Sequence, residues 1–307
     1  METLKKCLSI DSSFSDAYFQ IGVIHDQLGD IDKAIENYFK AIDCNSENGF
    51  AYNNLGNDLL HKKEIDKAIQ ILEKGMEKNP QLPELPNTLG IALHNKKEFE
   101  KAVRTYRKAL SLAPSRPEAY VNMCISLLEL GEYEEIIEII TSGLELIPDN
   151  PDLLYYMGRA YAETNKNNEA VACFDKIIQM DPDYAPAYLN KGLVFYQDEQ
   201  KKKAIDLYKE AIKISPNYEE AYFNLGVAMV EGRHHDVSGV KEGIEYLRIV
   251  LRINPANALA YYWIGNAFLK TDDILKAAEN YKRACEMGFQ MACDALQEIF
   301  ALKRRVE

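Results

Sequence analysis

Apolar positions along the chain recur with a helical period. Between Tyr18 and Leu28 they fall at 18, 21, 24 and 28, which lines one face of an α-helix. A turn follows at Gly29-Asp30. From Ile31 they resume at 31, 35, 38, 39 and 42, and the stretch stops in a polar segment. This two-helix signature returns in one register. Prolines stand at Pro80, Pro114, Pro148, Pro182 and Pro216, each 34 residues after the last, and Pro255 follows 39 later. Each proline ends a second helix and opens the next unit, because it lacks an N–H and disfavours helix in the residue before it.

Four further columns keep the same step. Glycine occupies 22, 56, 90, 158, 192, 226 and 265, with Cys124 in the remaining slot. Alanine occupies 34, 68, 102, 170, 204 and 277, with Ile136 and Gly243 in the other two. Tyr18, Tyr52, Tyr120, Tyr188, Tyr222 and Tyr261 form one aromatic column; Tyr38, Tyr106, Phe174, Tyr208 and Tyr281 form another. Small residues let two antiparallel helices approach, and the rings fill the space beside them. Glycine inside a helix costs about 1 kcal/mol against alanine, so its recurrence implies a larger steric gain. A unit of 34 residues is below the roughly 40 that fold alone. Stacked units bury a continuous core, so the 307 residues read as one array and not two globules.

The segments Ala51-Tyr52-Asn53-Asn54-Leu55-Gly56 and Ala221-Tyr222-Phe223-Asn224-Leu225-Gly226 carry a resemblance. With Ala68 and Pro80 they resemble the tetratricopeptide repeat family, with Tyr at the family's Trp position. The resemblance implies an all-α fold, a right-handed superhelical solenoid of helix-turn-helix repeats. Residues 15–291 divide into eight repeats: 15–48, 49–82, 83–116, 117–150, 151–184, 185–218, 219–257 and 258–291. Residues 1–14 read as a half-repeat or N-terminal cap helix, lacking the first helix of their unit. Either the natural chain extends upstream or the half-unit is a native cap. Residues 292–307 read as a C-terminal capping helix and tail. Ala292, Ala295, Leu296, Ile299 and Phe300 share the face that would cover the last repeat, and Lys303-Arg304-Arg305 suits a helix C-terminus. The seventh repeat holds extra residues within 231–239, an expected longer turn.

Composition narrows the function. There are 36 Lys+Arg against 48 Asp+Glu, a net charge of −12. Such a surface repels phosphate, so no nucleic acid and no anionic membrane is expected as partner. No apolar run approaches the roughly 18 residues of a membrane span, and the start lacks a signal-peptide segment. Six cysteines (Cys7, Cys44, Cys124, Cys173, Cys285, Cys293) with no CxxC pair read as reduced, hence a cytoplasmic protein. Cys124 and Cys173 read as core fillers. No phosphate loop, HExxH or nucleophile elbow occurs, so the chain reads as no enzyme, with no cofactor. His234, His235 and Asp236 read as loop and not as metal ligands, and His25, His61 and His94 as solvated or half-packed.

In this family the first helices of successive repeats line the inner groove. One column there holds Gln20, Asn54, Thr88, Asn122, Tyr156, Asn190, Asn224 and Trp263. Asparagine is a poor helix former, and its amide matches the donor and acceptor of a peptide backbone. The column resembles the asparagine ladder in the repeat domain of O-linked N-acetylglucosamine transferase. The competing reading is that these amides bond neighbouring helices or water. Adjacent columns add Phe19, Asn53, Asn87, Tyr155, Phe223 and Tyr262, then Asn57, Arg159 and Asn266. The expected peptide-binding set is Asn53, Asn54, Asn57, Asn87, Asn122, Tyr155, Tyr156, Arg159, Asn190, Asn224, Phe223, Trp263 and Asn266. The family's carboxylate clamp, which holds acidic chaperone tails, needs cations. Its frame here offers Asn53, Asn57, Thr88, Glu118 and Asn122, without them. Asp16, Glu84, Glu118, Asp152, Glu163 and Glu220 face the same side and favour a neutral or basic ligand. The expectation is a protein–protein interaction module holding an extended segment. The alternatives are a substrate-recruiting domain of a larger, glycosyltransferase-like enzyme, and a self-associating scaffold.

Overall fold

In a computed structural model, which describes residues 1–232 and 237–306 and side chains as far as Ala301, the regular structure of the described residues is all α-helix. The chain forms two compact units, Met1–Thr164 and Asn165–Glu307. The first holds α1 (Glu2–Ile10), α2 (Ser15–Gln27), α3 (Ile31–Cys44), α4 (Gly49–His61), α5 (Ile65–Lys78), α6 (Glu84–Asn95), α7 (Phe99–Leu112), α8 (Pro117–Leu130), α9 (Tyr133–Leu146) and α10 (Pro151–Glu163). The second holds α11 (Asn167–Met180), α12 (Ala185–Gln197), α13 (Lys201–Ile214), α14 (Glu219–Val230), α15 (Val237–Ile253), α16 (Ala258–Lys270), α17 (Ile274–Glu286) and α18 (Gln290–Val306).

Within each unit, helices adjacent in sequence pack on one another. The first helices of successive repeats also touch: α4 on α6, α6 on α8 and α8 on α10 in one unit, α12 on α14 and α14 on α16 in the other. These even-numbered helices therefore make a continuous layer in each unit. Asn48, Asn150 and Asn257 start α4, α10 and α16 by accepting a backbone N–H three residues on, an N-cap in its usual geometry.

The glycine and aromatic columns meet. A Cβ added to Gly22 would lie 2.6 Å from Tyr38 Cε1, and one on Gly192 2.6 Å from Tyr208 Cε1. Tyr38, Tyr106, Tyr208, Phe174 and Tyr281 are among the largest fully buried side chains. The ring edge occupies the volume a Cβ would take. Cys124 and Cys173 are buried in the core, and burial pushes their thiols up to about 12 and about 11.

Two features differ from expectation. Cys285 and Cys293 form a disulfide, with Cα atoms 4.8 Å apart. The short turn between α17 and α18 brings together two cysteines eight residues apart, so reading all six as unpaired is corrected, and with it that ground for a reducing compartment. On α18, Ala292 and Ile299 are buried, with Ala295 and Leu296 packed beside them, but Phe300 is 51% exposed and lies off the covering face. His94 is half-buried, in line with the half-packed reading, and its Nδ1 lies 3.0 Å from the buried Ser126 Oγ. His234, His235 and Asp236 lie outside the described residues.

Candidate binding surface

The expected site residues all stand on first helices. In the first unit the amides of α4 join neighbouring helices. Asn53 is 9% exposed and its Oδ1 accepts from Thr88 Oγ1 on α6 at 2.8 Å. Its Nδ2 lies 3.4 Å from Asn54 Oδ1, and Asn54 Nδ2 donates to Tyr38 Oη on α3 at 3.3 Å. Further along, Asn122 Nδ2 on α8 donates to Asn87 Oδ1 on α6 at 3.3 Å. Asn57 stands apart from these groups and is exposed. On α10, Tyr155 and Tyr156 meet edge to face with centroids 5.3 Å apart, and the Arg159 guanidinium lies 5.8 Å and 6.0 Å from their centroids. That cation is held over two rings, which suits a stacking surface.

In the second unit Asn190 Nδ2 on α12 donates to Pro186 O at 2.9 Å, and Asn224 Nδ2 on α14 to Glu220 O at 2.8 Å, each within its own helix. Phe223 and Trp263 are half-buried. On α16, Asn266 Oδ1 accepts from Tyr281 Oη at 2.6 Å. The structure thus brings together Asn53 with Asn54, Asn87 with Asn122, and Arg159 with its two tyrosines. It leaves Asn57 exposed and apart from them, and the bond of Asn224 runs within its own helix.

The charges of this layer are mostly acidic. Glu84 is paired with Arg116 at 2.7 Å, while Asp16, Glu118 and Asp152 are exposed. Asp58 on α4 is a residue that sequence reasoning missed. It is 5% exposed, and its Oδ2 is buried with no hydrogen-bond partner. Burial first, and the charge of Asp26 second, push its carboxyl up to about 7. The signal was an acid where Ala92 and Ala160 stand in other repeats. Among the described residues, no group of three or more His, Cys, Asp or Glu side chains is placed to hold a metal ion. No helix there is long and apolar enough to cross a membrane.

Comparisons with known proteins agree on the architecture. Tetratricopeptide repeat family models match residues 15–48, 87–116, 127–191 and 237–290, and a TPR repeat model matches 192–231. No curated protein sequence matches the chain significantly. Among solved structures, a tetratricopeptide repeat protein from Parabacteroides merdae is 19% identical with a TM-score of 0.65, over 82% of this chain and 98% of that one. The C-terminal part of a TPR repeat-containing protein from Cytophaga hutchinsonii is 17% identical with a TM-score of 0.62, over 80% of this chain and 99% of that one. YrrB, described as a TPR protein with an unusual peptide-binding site, is 23% identical with a TM-score of 0.50, over 60% of this chain and 95% of that one. These likenesses speak to the fold. The repeat columns, the paired helices that they build and the matches along the chain agree that it belongs to the tetratricopeptide repeat family.

Proposed function

We propose that the layer of first helices holds an extended segment of another protein, bound without covalent chemistry. The observation that carries this reading is a half-buried row of amides and rings in each unit, Asn54, Asn87, Asn122, Tyr155 and Tyr156 in the first and Asn190, Phe223, Asn224 and Trp263 in the second. Such groups offer donors, acceptors and flat apolar area at little conformational cost. Local hydrogen bonds fix the orientation of these amides, and those of Asn54, Asn87, Asn122 and Asn224 have more donor and acceptor capacity than the bonds use. The resemblance to a protein described by its peptide-binding site is consistent with this reading. Unpaired acids along the layer favour a neutral or basic segment.

The test is selection of displayed random peptides on the immobilised chain, then titration of the best peptide. Replacing Asn122, Asn190 and Asn224 together by Ala should keep helicity and weaken the peptide about tenfold, a loss of about 1.4 kcal/mol. Equal affinity for both proteins rejects the amide row as the site. Self-association is a second reading, motivated by the exposed Ile274, Leu275 and Met291 at the last helices. Light scattering that stays monomeric across concentrations rejects it. A cytoplasmic setting now rests on the free Cys7, Cys44, Cys124 and Cys173, against one disulfide. Non-reducing electrophoresis of thiol-trapped protein from its own host decides between them.

A further inference from the structure

Between α14 and α16, in the second unit, lies an open cavity of about 300 Å³ lined by Tyr218, Glu219, Glu220, Phe223, Asn257 and Leu259. Its walls have two characters. Phe223 is half-buried and Leu259 is 45% exposed, so an apolar surface faces solvent. Beside it stand two carboxylates. Glu219 Oε1 accepts from Asn254 Nδ2 at 3.1 Å and from Asn257 Nδ2 at 2.8 Å. Those amides orient the carboxylate but carry no charge, so they do not neutralise it. The Glu220 backbone carbonyl is bonded by Asn224, and its residue is exposed. Among the described residues the ion pairs of this unit run elsewhere, as in Lys201–Glu231 and Arg248–Glu245. The cavity therefore combines two carboxylates, offset in part by the α14 N-terminus but paired with no Lys or Arg among the described residues, with an apolar wall.

We propose that this cavity seats one Lys or Arg side chain of the bound polypeptide. The inference rests on the groove reading above and deepens it. The aliphatic stem would lie along Phe223 and Leu259, and the charged head would reach Glu219 and Glu220. Long basic side chains have this two-part character, an apolar stem with a cationic tip, and a cation also gains from the face of the Phe223 ring. An acidic group is repelled by both carboxylates. A purely apolar group would cover the carboxylates without pairing them, which is unfavourable. The volume is at the lower end for a small-molecule site and sufficient for one side chain.

The experiment uses the full chain immobilised against displayed random peptides, with the selected peptides then synthesised and titrated. In the expected result the selected peptides share a Lys or Arg. Changing that residue to norleucine, which keeps the stem and removes the charge, weakens binding to the unaltered protein about five- to tenfold. Against Glu220→Gln the difference between the two peptides falls to about twofold or less. Against Glu210→Gln, an acid on α13 paired with Lys213 and not lining the cavity, it persists. Circular dichroism of each variant checks that it is folded. Peptides selected without a shared cation overturn the inference and leave the groove reading standing, as does an undiminished difference against Glu220→Gln. Failure of the chain to retain any peptide overturns both.

Discussion

Asp58 occupies a column that elsewhere in the chain holds uncharged residues, Ala92 and Ala160 among them in the same unit. Its carboxyl is raised from 3.8 to about 7 in the folded chain. Folding therefore takes up a proton between about pH 4 and pH 7, and the penalty of holding this group is absent below the lower value. The penalty grows as pH rises between them and is constant above about 7. Asp58→Asn should leave stability unchanged near pH 4 and raise it by about 2–4 kcal/mol at pH 8. Urea unfolding at both pH values checks this, and an equal gain at both contradicts it. Gly192 poses the opposite problem, a position with no room. A Cβ there would also meet Tyr208 Cδ1 at 2.8 Å, so Gly192→Ala should lower stability by about 1–3 kcal/mol. An unchanged melting temperature contradicts the packing account. Gly192 was legible in the sequence because the contact it makes recurs at Gly22, Gly90 and Gly265. Asp58 was not, because a single departure from a column has no period to reveal it.

Helices and turns carry the next level. The turn joining the helices of a repeat needs a left-handed residue. Gly29 and Gly131 supply it with φ of 79° and 74°, but Lys63, Lys97, Glu199 and Asp272 take the same place with φ of 57–64°. Side chains other than Gly are disfavoured there by about 1–2 kcal/mol, partly offset by the greater freedom of unfolded Gly. Lys97→Gly should therefore stabilise the chain by about 0.5–1 kcal/mol in thermal or urea unfolding, and a loss of stability would contradict this. At the other end of the chain, the Cys285–Cys293 bond ties α18 to α17. Cys293→Ser should cost about 2 kcal/mol, read as faster amide exchange in α18, with α2 to α9 unaffected. Equal exchange in α18 would show that packing alone holds it. The helices themselves were legible from their apolar period. The disulfide was not, since its cysteines are eight residues apart and outside any CxxC pattern. The exposure of Phe300 was also hidden, because one helical face is wider than the neighbour that covers it.

For the whole molecule, the repeat columns predicted a helical array but not its division. The boundary after Thr164 falls in the turn of the fifth repeat, and the columns run through it from Gly158 to Ala170 without a break. A pattern set by the contacts inside each repeat does not record which repeats cohere most strongly. The proposed binding surface was legible only as a face. Sequence placed the amides on the first helices, but not the bonds of Asn53 to Thr88 or Asn122 to Asn87, which depend on the spacing of neighbouring helices. The central claim is that an extended polypeptide lies on that layer. The most direct measurement is a titration of isotope-labelled protein with a selected peptide, following the side-chain amide resonances of asparagine by NMR. The account predicts shifts at Asn122, Asn190 and Asn224, with Asn37 and Asn280 on the second helices unmoved. Shifts at Asn37 and Asn280 with the first-helix amides unmoved would contradict it.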